Sequence, residues 1–184
     1  MPDATIKRNE HSPLKLGILV LITCFSAYKL TEYLYSQVLS VHYRSYIPAS
    51  FEIERTVYTG DRVGGFIEGC GVAVLELSEK TATKISIGQI TFLNDNSITR
   101  DSKHKRHMGW RETPFISNQG EHSVFGSVAN EDAGGNTCVD LPVRLKENIL
   151  SAINRPGAFY SGFNENTELL VIPTLRLVVF SHDR

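Results

Sequence analysis

The stretch Leu16–Tyr28, LGILVLITCFSAY, contains no charged residue, and its reading divides the whole chain. Lys15 and Lys29 bracket it, and LTEYLYSQVLSV (30–41) follows, apolar but with Glu32 inside. The 13 uncharged residues span about 20 Å as helix at roughly 1.5 Å per residue. A bilayer core of about 30 Å takes roughly 20 residues. A crossing helix therefore recruits Leu14 at one end and Leu30, Tyr33, Leu34 and Tyr35 at the other. Lys15 and Lys29 can extend their charged ends toward head groups, and Tyr33 and Tyr35 suit an interfacial aromatic belt. The expected layout is a cytoplasmic tail at 1–13, a transmembrane anchor helix at 14–36, a stalk at 37–48 and an extracytoplasmic domain at 49–184.

Three readings compete with the anchor. A cleaved signal peptide has the same basic start and short apolar core. Cutting after Ala27 places Phe25 at the third position before the cut, and cutting after Ser26 places Cys24 there; the former is poor. A lipoprotein signal would modify Cys24, with Thr23 a poor residue just before it. A core helix of a soluble domain also accommodates a run this short. For the anchor, Lys7, Arg8 and Lys15 outnumber Lys29 and the more distant Arg44, which favours an inside amino terminus. The body is then outside the cytoplasm, which in a bacterium means the periplasm beside the inner membrane.

The chain has 184 residues, 41% of them hydrophobic, and a net charge of −1. That content is too apolar for a disordered chain, and the charge gives no simple argument for a nucleic-acid partner. Five of the 19 Lys and Arg and three of the 20 Asp and Glu fall in residues 1–45, leaving 14 and 17 for the body. A body of 139 residues is enough for one core, burying roughly two thirds of its unfolded surface.

Phe51–Val57 alternates apolar and polar, as a half-buried strand does. Val72–Leu77 is a continuous apolar strand suited to a sheet centre. Ser78 caps a short helix, EKTATKISI, with Gly88 as its stop. Ile90–Leu93 reads as a weak strand or loop, and 94–120 as polar and poorly patterned. Ser123–Ala129 reads as a strand. Asp140 and Pro142 open a helix in which Leu145, Ile149, Ala152 and Ile153 recur at helical spacing. Leu169–Phe180 reads as one long strand, with Pro173 requiring an edge position or bulge. The order predicts an α+β chain: one amino-terminal transmembrane helix followed by a small, mainly antiparallel sheet domain with two helices.

Several features carry candidate chemistry. Cys70 and Cys138 can form a disulfide if the body is exported, closing a loop of about 68 residues; alternatively both are small buried hydrophobes. A thiol nucleophile at Cys70 would need a base such as His122. The glycines of GGFIEGCG lack the G-x-G-x-x-G spacing and the G-K-[ST] ending of phosphate loops, so a tight turn before a strand is the simpler reading. RDSKHKRHMGWR (100–111) gathers Arg100, Lys103, Lys105, Arg106 and Arg111, a candidate anion-binding patch on an otherwise solvated loop. His104 and His107 have H-x-x-H spacing without an accompanying carboxylate, so they make no metal motif. Glu52 and Glu54 lie on the polar face of the first strand, where solvated carboxylates are ordinary.

No catalytic, cofactor-binding or metal-ligating set is expected, and no cofactor. The leading expectation is a binding or assembly module at the membrane surface, with the bilayer and a protein of the cell envelope as partners and no nucleic acid. The alternatives are a membrane-tethered hydrolase with a loop-built active site and a soluble cytosolic domain with a packed first helix.

Overall fold

A computed structural model describes residues 13–61, 69–101, 106–114, 139, 141–164 and 167–182. The chain divides into two compact units, Met1–Val38 and Leu39–Arg184. Helix α1 (Pro13–Ser45) supplies the described part of the first unit, and its last residues belong to the second. Every side chain from Leu16 to Tyr35 is exposed. From Leu39 the pattern changes: Leu39, Tyr43 and Ile47 are buried in the core of the second unit. Residues 37–48, expected as a stalk, thus contain three core side chains: Leu39 and Tyr43, one turn apart on the inward face of α1, and Ile47 just beyond its end.

The second unit is an α+β fold around a six-stranded sheet, β1 (Ile53–Asp61), β2 (Gly71–Leu77), β3 (Met108–Glu112), β4 (Phe159–Asn164), β5 (Thr167–Ile172) and β6 (Leu177–His182). The spatial order is β1-β2-β6-β5-β4-β3, and every pairing is antiparallel. Two further helices, α2 (Glu79–Asp95) and α3 (Val143–Ile153), complete it.

Strand alternation separates two cores. Ala73, Leu75, Leu77, Leu169, Val171, Val178 and Phe180 pack with Leu39 and Tyr43 of α1 and Ala82, Ile85 and Leu93 of α2. Val72, Val74, Leu170, Ile172, Leu177 and Val179 pack with Ile149 and Ile153 of α3. The central strands read as unbroken apolar runs because helices cover both of their faces.

Local chemistry explains the element ends. Ser78 caps α2, its hydroxyl accepting from the Thr81 N–H at 3.2 Å. The helix does not stop at Gly88. Gln89 takes φ 47°, ψ −137°, and the chain resumes helically to Asp95, with Leu93 buried. Ile90–Leu93 is therefore helix rather than strand or loop, since Leu93 gains a core position. Leu169–Phe180 is two strands. Pro173 opens a one-turn 3-10 segment (Pro173–Leu175), and Arg176 closes it in the left-handed conformation at φ 56°, ψ 37°. Proline's missing N–H and fixed φ end the strand, so it sits in a hairpin between two central strands and not on an edge. β3 falls inside the stretch expected to be irregular. Ser123–Ala129 lies outside the described residues.

Candidate functional site

The basic stretch is built by the chain leaving α2 and entering β3. Arg100 donates its N–H to the Ile47 carbonyl at 3.1 Å, and Asp101 donates to Ser45 at 3.1 Å. Arg106 forms an isolated bridge with Ile98, and Arg111 stands exposed on β3, the sheet's edge, opposite Tyr160. Lys103 and Lys105 lie outside the described residues. Arg100 is not a simple solvated cation. Its Nη2 donates to the Phe51 carbonyl, and burial, followed by the nearby Arg44 charge, lowers its pKa from the ordinary arginine value.

Two members of the stretch, Trp110 and His107, are structural. Trp110 is buried in the core, 5.9 Å between ring centroids from His107. His107 is 1% exposed, and its Nε2 lies 2.8 Å from the Tyr46 carbonyl. That contact makes Nε2 the protonated nitrogen of the neutral ring. Desolvation pulls the His107 pKa below its ordinary 6.5, and the bond to Tyr46 opposes this. His107 therefore ties β3 to the end of α1. His104 lies outside the described residues, and no cluster of three His, Cys, Asp or Glu suited to a metal occurs among those described.

Glu52, just before β1, Glu54 on β1 and Glu76 on β2 are held in ion pairs. Lys80 Nζ lies 3.1 Å from Glu52, and Arg176 Nη2 lies 2.5 Å from Glu54. Arg55 Nε donates to Glu76 at 2.5 Å, and this bond is the main cause holding the Glu76 carboxyl below the usual range. Arg176 also joins the strands, donating from Nε to the Leu77 carbonyl at 3.1 Å. Glu52 and Glu54, read from the sequence as solvated acids, are about half exposed; their partners are distant in sequence and only the fold brings them together.

A shallow groove of about 230 Å³ lies between the end of α3 and the 3-10 turn, lined by Asn148, Ser151, Arg155, Gly157, Thr174 and Leu175 among others. Its described lining offers amide, hydroxyl and guanidinium groups, with no carboxylate, thiol or imidazole. Cys70 is half-buried immediately before β2; His122 and Cys138 lie outside the described residues. The one free cysteine among those described is Cys24, exposed on α1.

α1 itself is the other candidate interaction surface. Its segment Leu16–Ser45 is long and apolar enough to cross a membrane, and none of its most apolar window is buried inside the protein. Leu16, Leu19, Leu21 and Phe25 are each at least 60% exposed. Within it, Thr23 and Thr31 return their hydroxyls to backbone carbonyls one turn earlier, at 2.9 and 2.6 Å. Lys29 pairs with Glu32 at 2.7 Å, and its ammonium lies 5.3 Å from the Tyr28 ring centroid. These contacts satisfy the Thr23, Thr31, Lys29 and Glu32 side chains within one helix. No protein-family model, curated protein or solved structure matches the chain.

Proposed function

We propose that the chain is a single-span, amino-terminally anchored membrane protein. Its second unit acts as a binding or assembly module at the membrane surface, outside the cytoplasm. The observation that carries this reading is the uniform exposure of the apolar side chains of α1 from Leu16 to Tyr35. Left in water, so large a contiguous apolar surface is unfavourable; in a bilayer core it is at home, and a helix satisfies its own backbone there. The internal pairing of Lys29 with Glu32 lowers the cost of holding both near the interface. The flanking excess of Lys7, Arg8 and Lys15 supports an inside amino terminus.

Two finer points belong to the same reading. A Cys70–Cys138 disulfide is part of this reading, and it suits an oxidising compartment. Arg100, Arg106 and Arg111, with Lys103 and Lys105, supply an anion-binding patch. An envelope protein or anionic surface polymer is the partner class.

Alkaline carbonate extraction of membranes, paired with protease treatment of intact cells, tests the reading. Retention in the carbonate pellet and digestion of the body from outside are expected. Recovery of the protein in the soluble fraction would contradict the anchor, and protection of the body in intact cells would contradict the orientation.

A further inference from the structure

The groove beside α3 has two walls, and hydrogen bonds fix both. On one side Thr113, 3% exposed, clamps the loop that follows α3. Its hydroxyl donates to the Arg155 carbonyl and accepts from the Ala158 N–H at 3.2 Å. Its own N–H donates to the Ala158 carbonyl at 2.9 Å. Asn154 closes the end of α3, its N–H and side-chain amide both donating to the Leu150 carbonyl, at 3.2 and 2.9 Å. On the other side, the Arg176 N–H closes the 3-10 turn onto the Pro173 carbonyl at 3.0 Å, and Glu54 and Glu76 hold the Arg176 guanidinium. Walls fixed in this way spare a ligand the cost of ordering them.

Ile172 and Ala158, each 2% exposed, and the more exposed Leu175 supply the apolar part of the lining. Asn148, Ser151, Arg155 and Thr174 line the same groove, and none of their side chains makes a hydrogen bond or ion pair among the described residues. Arg155 is the one charged residue among the described lining. Glu112 accepts from the Gly157 N–H at 3.0 Å and lies outside that lining. One guanidinium balances one negative charge, and its fork matches a carboxylate at two points. The Asn148 amide both donates and accepts, as a peptide group requires of its partner. At about 230 Å³ the groove is smaller than the roughly 300–1,000 Å³ of sites that enclose a whole small ligand, so it suits the end of a longer chain. We propose that this groove binds the carboxyl-terminal residue of a peptide. The carboxylate pairs with Arg155, the last peptide group meets Asn148, Ser151 and Thr174, and an apolar terminal side chain covers Ile172 and Leu175. The inference rests on the binding-module reading of the second unit, for which it names a partner, and not on the anchor.

The test is isothermal titration calorimetry on the full-length protein in neutral detergent. The probes are N-acetyl-alanyl-leucine with a free carboxyl terminus, the same dipeptide as its carboxamide, and hexanoate. The free acid is expected to bind, with the carboxamide weaker by about tenfold or more. R155Q should weaken the free acid to the same extent. S151L keeps the charge but fills the groove, and should also lose binding; thermal midpoints equal to wild type in both variants separate recognition from misfolding. Equal affinity for acid and carboxamide, unchanged affinity in R155Q, or no binding of the acid would overturn the site. Hexanoate binding as tightly as the dipeptide would overturn the peptide end as its occupant. Carbonate-soluble protein that binds the dipeptide would fail the anchor alone, and anchored protein that ignores it would fail the groove alone.

Discussion

A Cβ built on Gly71 stands 2.0 Å from Tyr43 Oη and 2.8 Å from His182 Nε2. Tyr43 is a core residue, and its hydroxyl lies 3.3 Å from that same histidine nitrogen. G71A should therefore cost about 1–3 kcal/mol by chemical denaturation, as overpacking does; an unchanged midpoint would show that Tyr43 yields freely. Ile85 and Ile87 make a sharper pair. Ile85 is fully buried and Ile87 is 80% exposed on the same helix. I85A should lose about 2–4 kcal/mol and I87A about 0.5 or less. Neither contrast is visible in the sequence, where both isoleucines fit an amphipathic reading. His107 adds a pH dependence. Its folded-state pKa lies below 6.5 through desolvation, so the ring is neutral in both states above that pH and contributes no slope there. As pH falls below 6.5, the unfolded chain binds the proton first, and stability is lost until the folded-state pKa is reached. H107Q, which retains a donor for the Tyr46 carbonyl, should flatten thermal midpoints over that acid window. Parallel losses in wild type and variant would remove His107 as the cause. The sequence offered His107 as half of an H-x-x-H pair; burial makes it a tie between elements.

Among the elements, β2, the Ser78 cap and α3 were legible because one local signal sufficed for each. Unbroken apolar residues, a hydroxyl at the start of a helical pattern, and the 145, 149, 152, 153 spacing are all short-range features. The kink in α2 and the β5–β6 hairpin were not. Gly88 and Pro173 both announce a break, but where the chain goes afterwards depends on what the next residues can bury. Leu93 finds a core position, so helix resumes; Leu177 and Val179 find the second core, so a strand begins again antiparallel. β3 was hidden because a five-residue edge strand with only Trp110 buried carries almost no periodic signal. The kink gives a prediction at this scale. Gln89 holds φ 47°, a region that glycine occupies without the steric cost borne by other residues. Q89G should raise stability by about 1 kcal/mol. A clear loss on denaturation would mean that the glutamine side chain contributes more than its backbone strain costs.

For the molecule as a whole, the boundary between apolar helix and folded body was legible in charge and hydropathy, although its placement was not. Sequence set the anchor's end at 36 and inserted a stalk; the burial of Leu39 and Tyr43 shows the end of α1 to be part of the second unit's core. Helical spacing of these residues was present in the sequence, but nothing there showed a sheet to receive them. Of the candidate patch, Arg100, Arg106 and Arg111 were legible as charges, but the bond from Arg100 to the Phe51 carbonyl was not. That bond joins residues 49 positions apart, which no local pattern in the sequence signals. The central claim is that the first unit lies in a bilayer, and Cys24, the free and exposed thiol within the uncharged run, reports on it directly. Membranes carrying the full-length protein are treated with a membrane-impermeant maleimide before and after detergent, and labelling at Cys24 is read by peptide mass spectrometry. The account predicts that Cys24 is protected in intact membranes and labelled once detergent is added; full labelling before detergent would contradict it.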